Sequence, residues 1–326
     1  MILLDVKPIE TEVCDCMMAS LTNAALYFNK DYQFLFSGIW VFGFRTKTEE
    51  YDAFWKRLFT PSYLYPHDEL RKYHGIQLIE DEFTPYNEFL NVVKAELTSG
   101  IPMAVKFSAY YAPWTQFYKK YHMEHYCLII GIDEANGYFY ITDPYVTNKI
   151  EKLPIEDLKA GYEKSYTFRF VEPECDIADW RAVINTALTH RYEKQDNMDS
   201  FDMMRVFAQE ILDYSGFVKE LKKQSDLYSF ELFYQLKYMS HSRLNYSWFL
   251  EFISQKFNVV GILPVVNRLQ EVAALWRTVW LKFTKITYME NEIMIEKAIK
   301  NISERLLEIA DMEQRSADDL RIIINR

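Results

Sequence analysis

The chain reads as an α+β domain followed by an all-helical one, and three observations predict this. Between residues 101 and 171 apolar side chains recur at every second position, as in Ile101, Met103, Val105 and Phe107. Beyond Pro173 that period vanishes and spacings of three and four take over to the C-terminus. Near the N-terminus, Asp15-Cys16-Met17-Met18-Ala19-Ser20-Leu21 through Phe28 has the pattern of a helix with a thiol in its first turn. The expected organisation is an α+β domain over residues 1–172 and a helical domain over 173–326, with the boundary near Glu172 to Cys175.

The first helix is predicted by Met17, Leu21, Ala24 and Phe28, which lie on one face, and by Asp15, a good N-cap residue. After the polar break Asn29-Lys30-Asp31, a mainly apolar run from Tyr32 to Phe42 is expected to be a second helix ended by Gly43. A short helix, Asp68 to His74, is stopped by Gly75, and Gln77 to Ile79 reads as a short strand. Thr84-Pro85 is a cap followed by proline at the first helical position, with Phe89, Val93 and Leu97 as the buried face and Gly100 as the stop. Strands follow from Ile101, from His125 to Ile132, and from Tyr138 to Thr142. The last two are joined through Asp133-Glu134-Ala135-Asn136-Gly137, where Asn-Gly is a hairpin signal. Ser165 to Val171 reads as a further strand. In the helical half, Leu269, Val272, Trp276, Val279 and Phe283 form one stripe and Ile295, Ile299, Ile302, Leu306 and Ile309 another, which predicts two long helices packed by these faces.

A composition 49% hydrophobic and 17% aromatic is that of a folded globule, and nine glycines and ten prolines among 326 residues leave little room for long flexible linkers. The net charge of −10 argues against nucleic-acid binding, which needs a basic face. The start Met1-Ile2-Leu3-Leu4-Asp5 has no basic region or long apolar run, and no stretch of eighteen apolar residues occurs, so the expectation is a cytoplasmic chain with no membrane span. The four cysteines, at 14, 16, 127 and 175, are then expected to be reduced. Cys14-x-Cys16 has no second pair at ligand spacing, so neither a metal nor a cofactor is expected.

The chemistry is expected at Cys16. A thiol at the first helical position sits among unpaired backbone N–H groups at the positive end of the helix dipole, which favours thiolate. Cys14 lies outside that field. The candidate base is His125, which opens an apolar strand, rather than His122 in the preceding polar turn, and Asp143 at the end of the next strand can orient it. Taken singly, each residue has a blander reading: Cys16 as a small buried hydrophobe, His125 as a structural histidine, Asp143 before Pro144 as a turn residue.

The order of cysteine at a helix start, histidine at a strand start and aspartate at the next strand end is similar to that of papain-like enzymes. Asp15-Cys16-x-x-Ala19-Ser20-Leu21 with Tyr27-Phe28 resembles the nucleophile helix of the cysteine peptidases that process bacteriocin leaders. With Tyr110-Tyr111-Ala112-Pro113-Trp114, His122, His125 and Gly131-Ile132-Asp133, the chain resembles more closely the butirosin biosynthesis protein H family, in which a papain-like domain is followed by a helical half. The resemblance implies a papain-like fold over residues 1–172, with Cys16 as nucleophile, His125 as base and Asp143 as orienting acid. It implies a cytoplasmic cysteine acyltransferase of antibiotic biosynthesis that takes an acyl group from an acyl carrier protein and gives it to a small amine. The peptidases place a glutamine a few residues before the cysteine as an oxyanion donor, where this chain has Glu10, Thr11 and Glu12. A peptidase or hydrolase, and a non-catalytic partner in a biosynthetic assembly, are the alternative readings. Carrier proteins are acidic, so Lys119 and Lys120, close in sequence to His125, are the expected docking point.

Overall fold

The computed structural model describes residues 1–9, 12–13, 15–51, 53–60, 66–82, 86–213, 218–219, 221–222 and 231–326. Glu10, Thr11, Cys14, Thr84 and Pro85, on which expectations rested, lie outside them. Two compact units form: Met1–Leu35 with Leu64–Ile177, and Phe36–Tyr63 with Ala178–Arg326.

The first unit is built on a seven-stranded antiparallel sheet. Its strands are β1 (Ile2–Leu3), β4 (Ile76–Asp81), β5 (Met103–Ser108), β6 (Glu124–Asp133), β7 (Tyr138–Thr142), β8 (Ile150–Pro154) and β9 (Tyr162–Phe170), in spatial order β4-β9-β5-β6-β7-β8. Strand β5 pairs with the first half of β6, Phe107 opposite His125, and β1 takes the same edge further on, with Leu3 opposite Gly131. A Cβ on Gly131 would stand 2.6 Å from the Ile2 carbonyl oxygen, so the close approach of β1 demands glycine there. The expected turn closes β6 onto β7: the Gly137 N–H donates to the Asp133 carbonyl at 2.8 Å, and Gly137 takes φ 76°. Two of the unit's helices are α1 (Cys16–Tyr27) and α4 (Tyr86–Thr98). Phe89, Val93 and Leu97 of α4 join Met103, Val105, Phe107, Cys127, Ile129 and Ile141 in one core. Helix α1 sends Phe28 edge-on to the rings of Phe168 and Phe170 on β9. It is buried from Met18 to Ala25 without a break, so the single stripe expected of it becomes a helix enclosed on all sides. Helix α3 (Pro66–His74) ends at Gly75, which takes φ 63°. Strand β8 and helix α5 (Ile155–Gly161) had no expectation.

The second unit carries the helices α2 (Phe54–Arg57), α6 (Trp180–Tyr192), α7 (Ser200–Glu210), α8 (Glu231–Phe257), α9 (Leu263–Ile286) and α10 (Glu292–Ile324). Both stripes expected in its long helices are buried. The segment 36–63 differs from expectation: it belongs to this unit, although the boundary near 172–175 put it in the first part. Nor do Tyr32 to Phe42 form the expected helix: a 3₁₀ turn at Tyr32–Phe36 gives way to irregular chain and to strand β2 (Gly43–Phe44), paired with β3 (Leu58–Phe59). Residues Phe34 to Phe44 are buried throughout, so their apolar run reflects burial on every side and carries no helical face. Its backbone finds other partners, as when Arg243 donates to the Val41 carbonyl at 2.8 Å. A Cβ on Gly43 would lie 2.4 Å from the Phe59 ring, so the hairpin selects glycine there.

Candidate active site

Helix α1 starts as its sequence dictates. Asp15 is extended at φ −151°, and its carboxylate accepts the Met18 N–H at 2.7 Å, a cap interaction of about 1 kcal/mol. Cys16 is thereby the first helical residue, half-buried at the positive end of the dipole. The helix is tied to the sheet from within. Asn23 donates to the Thr142 hydroxyl at 2.8 Å and accepts the Ile9 N–H at 3.0 Å. Thr142 is the last residue of β7, so the next residue, Asp143, is held in place by the same tether.

His125 is the second residue of β6 and lies edge-on to Phe107, with ring centroids 5.9 Å apart. Its Nε2 donates to Oδ2 of Asp143 at 2.6 Å, and both side chains are buried. Cys16 lies close enough to His125 to act on the charge of its imidazole. With Nε2 committed to Asp143, the ring nitrogen left for the thiol is Nδ1. Burial alone would drive the proton off His125. The charge of Asp143, its hydrogen bond and the nearby Cys16 outweigh burial and push the imidazole up to about 10. At neutral pH the ring is therefore an imidazolium beside the sulfur.

The three residues expected at the site are thus brought together by α1, β6 and the end of β7. His122 is not among them: it is exposed, stacks on Tyr110 at 4.3 Å and shares a hydrogen bond with Ser108. Cys127 is buried in the sheet, and burial raises its thiol, so it stays protonated. Among the described residues no group of three or more histidine, cysteine, aspartate or glutamate side chains is placed to hold a metal ion. No described helix is long and apolar enough to cross a membrane.

One functional neighbour was not foreseen. The Trp114 indole N–H donates to Asp143 Oδ2 at 2.7 Å. The segment Ala112-Pro113-Trp114 carried a resemblance, but a contact reaching 29 positions on, from an aperiodic loop to the residue after β7, leaves no periodic signal in the sequence.

A thiol at a helix N-terminus, an imidazolium and a buried carboxylate, contributed in that chain order, form an arrangement for covalent acyl chemistry. Residues 3–169 match the model of the Peptidase_C39 like family. The chain belongs to that family. Members of the Peptidase_C39-like family are related to papain-like cysteine peptidases, and the antiparallel sheet with its added helices agrees with that class. The match does not single out the butirosin protein H group. A comparison with curated proteins finds no match.

Proposed function

We propose that this Peptidase_C39-like protein is a cysteine acyltransferase that moves an acyl group from a carrier-protein thioester to a small amine, with Cys16 as nucleophile, His125 as acid and base, and Asp143 as the group that orients His125. The observation that carries the reading is the 2.6 Å bond from His125 to the buried Asp143, with Cys16 close enough to the same imidazole to act on its charge.

The Cys16 thiolate attacks the thioester carbonyl and forms a C–S bond. The tetrahedral intermediate collapses, the carrier's C–S bond breaks, and His125 gives its proton to the departing thiolate. Neutral His125 then takes a proton from the incoming amine as its nitrogen attacks the acyl-enzyme. An amide forms, Cys16 leaves as thiolate, and the imidazolium is restored. The sum is thioester plus amine giving amide plus thiol. The first exchange is close to thermoneutral, so amide formation drives the cycle. The Cys16 backbone N–H at the helix start is the donor on hand for the oxyanion.

The resemblance to the butirosin protein H family supports an amine acceptor, and a role in antibiotic biosynthesis follows from the same likeness. A papain-like hydrolase uses the same three residues with water as acceptor. The carrier protein is proposed to dock near Lys119 and Lys120. Lys119 Nζ already lies 3.2 Å from Asp157, so the exposed Lys120 is the freer charge of the two.

Intact-protein mass spectrometry after incubation with acyl carrier protein thioesters tests the reading. We expect an acyl mass gain that maps to Cys16, is lost in Cys16→Ala and survives in Cys14→Ser. Discharge of the adduct by amines much faster than by water supports the transferase. Discharge by water alone assigns a hydrolase, and no adduct with any thioester removes the enzyme reading.

A further inference from the structure

The acyl-transfer steps leave Trp114 without a part, yet its side chain reaches the reacting group's own support. The indole Nε1 donates to Oδ2 of Asp143 at 2.7 Å, and His125 Nε2 donates to the same oxygen at 2.6 Å. An sp² carboxylate oxygen has two lone pairs near the carboxylate plane, so two N–H donors occupy both. A carboxylate held by one donor can swivel about its Cβ–Cγ bond. One oxygen pinned from two directions cannot swivel without breaking a charge-assisted bond.

We propose that Trp114 is a positioning residue: it fixes the Asp143 carboxylate so that His125 is held as the Nε2-protonated ring with Nδ1 aimed at Cys16. This rests on the reading of Cys16 and His125 as the reacting pair. Trp114 touches no reacting atom and acts only through Asp143.

The loop that carries Trp114 is closed to make this possible. At its neck the Ala109 N–H donates to the Met123 carbonyl at 2.8 Å, and the Lys119 N–H donates to the Tyr110 carbonyl at 2.9 Å. The buried Thr115 hydroxyl, one residue past Trp114, reaches the carbonyls of Ala112 at 3.1 Å and Ala109 at 3.3 Å. Lys119 takes a left-handed φ of 54°, a conformation that a residue with a side chain adopts only when its surroundings hold it. Its ammonium is so held, with Asp157 of α5 at 3.2 Å and the rings of Tyr110, Tyr111 and Tyr118 at 5.1, 4.6 and 5.1 Å. The ammonium thus clamps the loop shut a few residues from the indole.

The test uses the full chain labelled with ¹⁵N-histidine and compares Trp114→Phe and Lys119→Met with the parent protein. The phenyl ring keeps the packing and removes the N–H. In Trp114→Phe we expect kcat for acyl transfer to fall about tenfold with KM unchanged within a factor of two. The His125 Nε2 proton resonance should move downfield, because Oδ2 then serves a single donor. Lys119→Met should move the same resonance in the same direction with a kcat loss of about twofold, and it provides the readout should Trp114→Phe not fold. An unmoved resonance in both variants overturns the proposal even if rates fall, since a space-filling tryptophan would behave in that way. The resonance needs no turnover, so a parent protein that forms no Cys16 adduct would end the acyltransfer reading while this measurement still decides the role of Trp114.

Discussion

Each unit buries a carboxylate under tryptophan N–H donors, and the two sites are put to opposite uses. In the second unit Glu313 of α10 is fully enclosed and takes five donors on its two oxygens. Oε2 accepts from Trp40 at 2.8 Å, Arg191 at 2.7 Å and Arg243 at 3.1 Å, and Oε1 accepts from Arg243 Nε at 2.9 Å and Trp276 at 3.0 Å. Burial alone would raise the Glu313 carboxyl, but the guanidiniums of Arg243 and Arg191 hold it below the usual range. Burial lowers Arg191 to about 10, against the pull of Glu313, and its cation lies over the rings of Phe201 and Trp40. In the first unit Asp143 has a tryptophan and a histidine, and the histidine leads on to a half-buried thiol. A carboxylate surrounded by fixed donors with no titrating exit stores order; one whose chain of donors ends at a nucleophile can move a proton. Burial and a strong ion pair are common to both, so neither property by itself marks a reactive site.

The comparison can be broken most forcefully at Glu313. Removing one partner of a buried ionic group leaves the others uncompensated, so Glu313→Ala, with two guanidiniums stranded, should cost about 3–5 kcal/mol of stability. Chemical denaturation followed by circular dichroism measures this, and an unchanged midpoint would end the structural reading. Next in size, His125→Ala should slow acylation of Cys16 by about 10²-fold or more, the scale of a lost general acid and base, with the fold intact. His122→Ala should cost far less, and equal losses would move the base to His122.

Asp143→Asn sharpens the contrast through pH. The folded-state pKa of His125 is raised from 6.5 to about 10, chiefly by Asp143 against burial, so the proton binds more tightly in the folded chain. The stability this contributes is full below about 6.5 and is lost as pH rises through about 10. The imidazolium that protonates the leaving thiol persists over the same range. Acyl-enzyme formation should therefore hold through neutral pH and decline near 10, and in Asp143→Asn, where burial acts unopposed, the decline should move to lower pH. An alkaline limb that stays in place would mean that Asp143 does not hold the proton. The smallest effect is expected for Lys120→Glu: a severalfold, salt-sensitive slowing with carrier-bound donors and none with a small thioester.

What the sequence disclosed follows from what local pattern can encode. Asp15 and the stripe behind it mark a helix start, so the place of Cys16 was legible; His125 and Asp143 stand at the ends of two strands whose alternation is plain. Trp114 was not legible as a partner of Asp143, because the loop between β5 and β6 is held by hydroxyl, cation and ring contacts that follow no period. Tyr32 to Phe42 form no helix for a related reason: from Phe34 on the segment is enclosed on all sides, and such a segment is apolar throughout. The Glu313 cluster draws on residues spread from Trp40 to the last helix, and no window short enough to show a pattern contains it.

That spread bears on how the chain is made. Trp40 donates to Glu313, 273 positions further along the chain, and at about 5–20 residues per second the ribosome needs on the order of tens of seconds to deliver the acceptor. Throughout that interval Trp40, Phe42 and Phe44, each buried in the finished protein, have no completed core to enter. The N-terminal strands can pair meanwhile, but the apolar run from Phe34 to Phe44 waits as a greasy tether on the nascent polypeptide. A fragment cut at residue 172 would be left waiting for good, so a folding screen should divide the gene by excising 36–63 along with the helical half and bridging 35 to 64, and should expect the contiguous piece to aggregate.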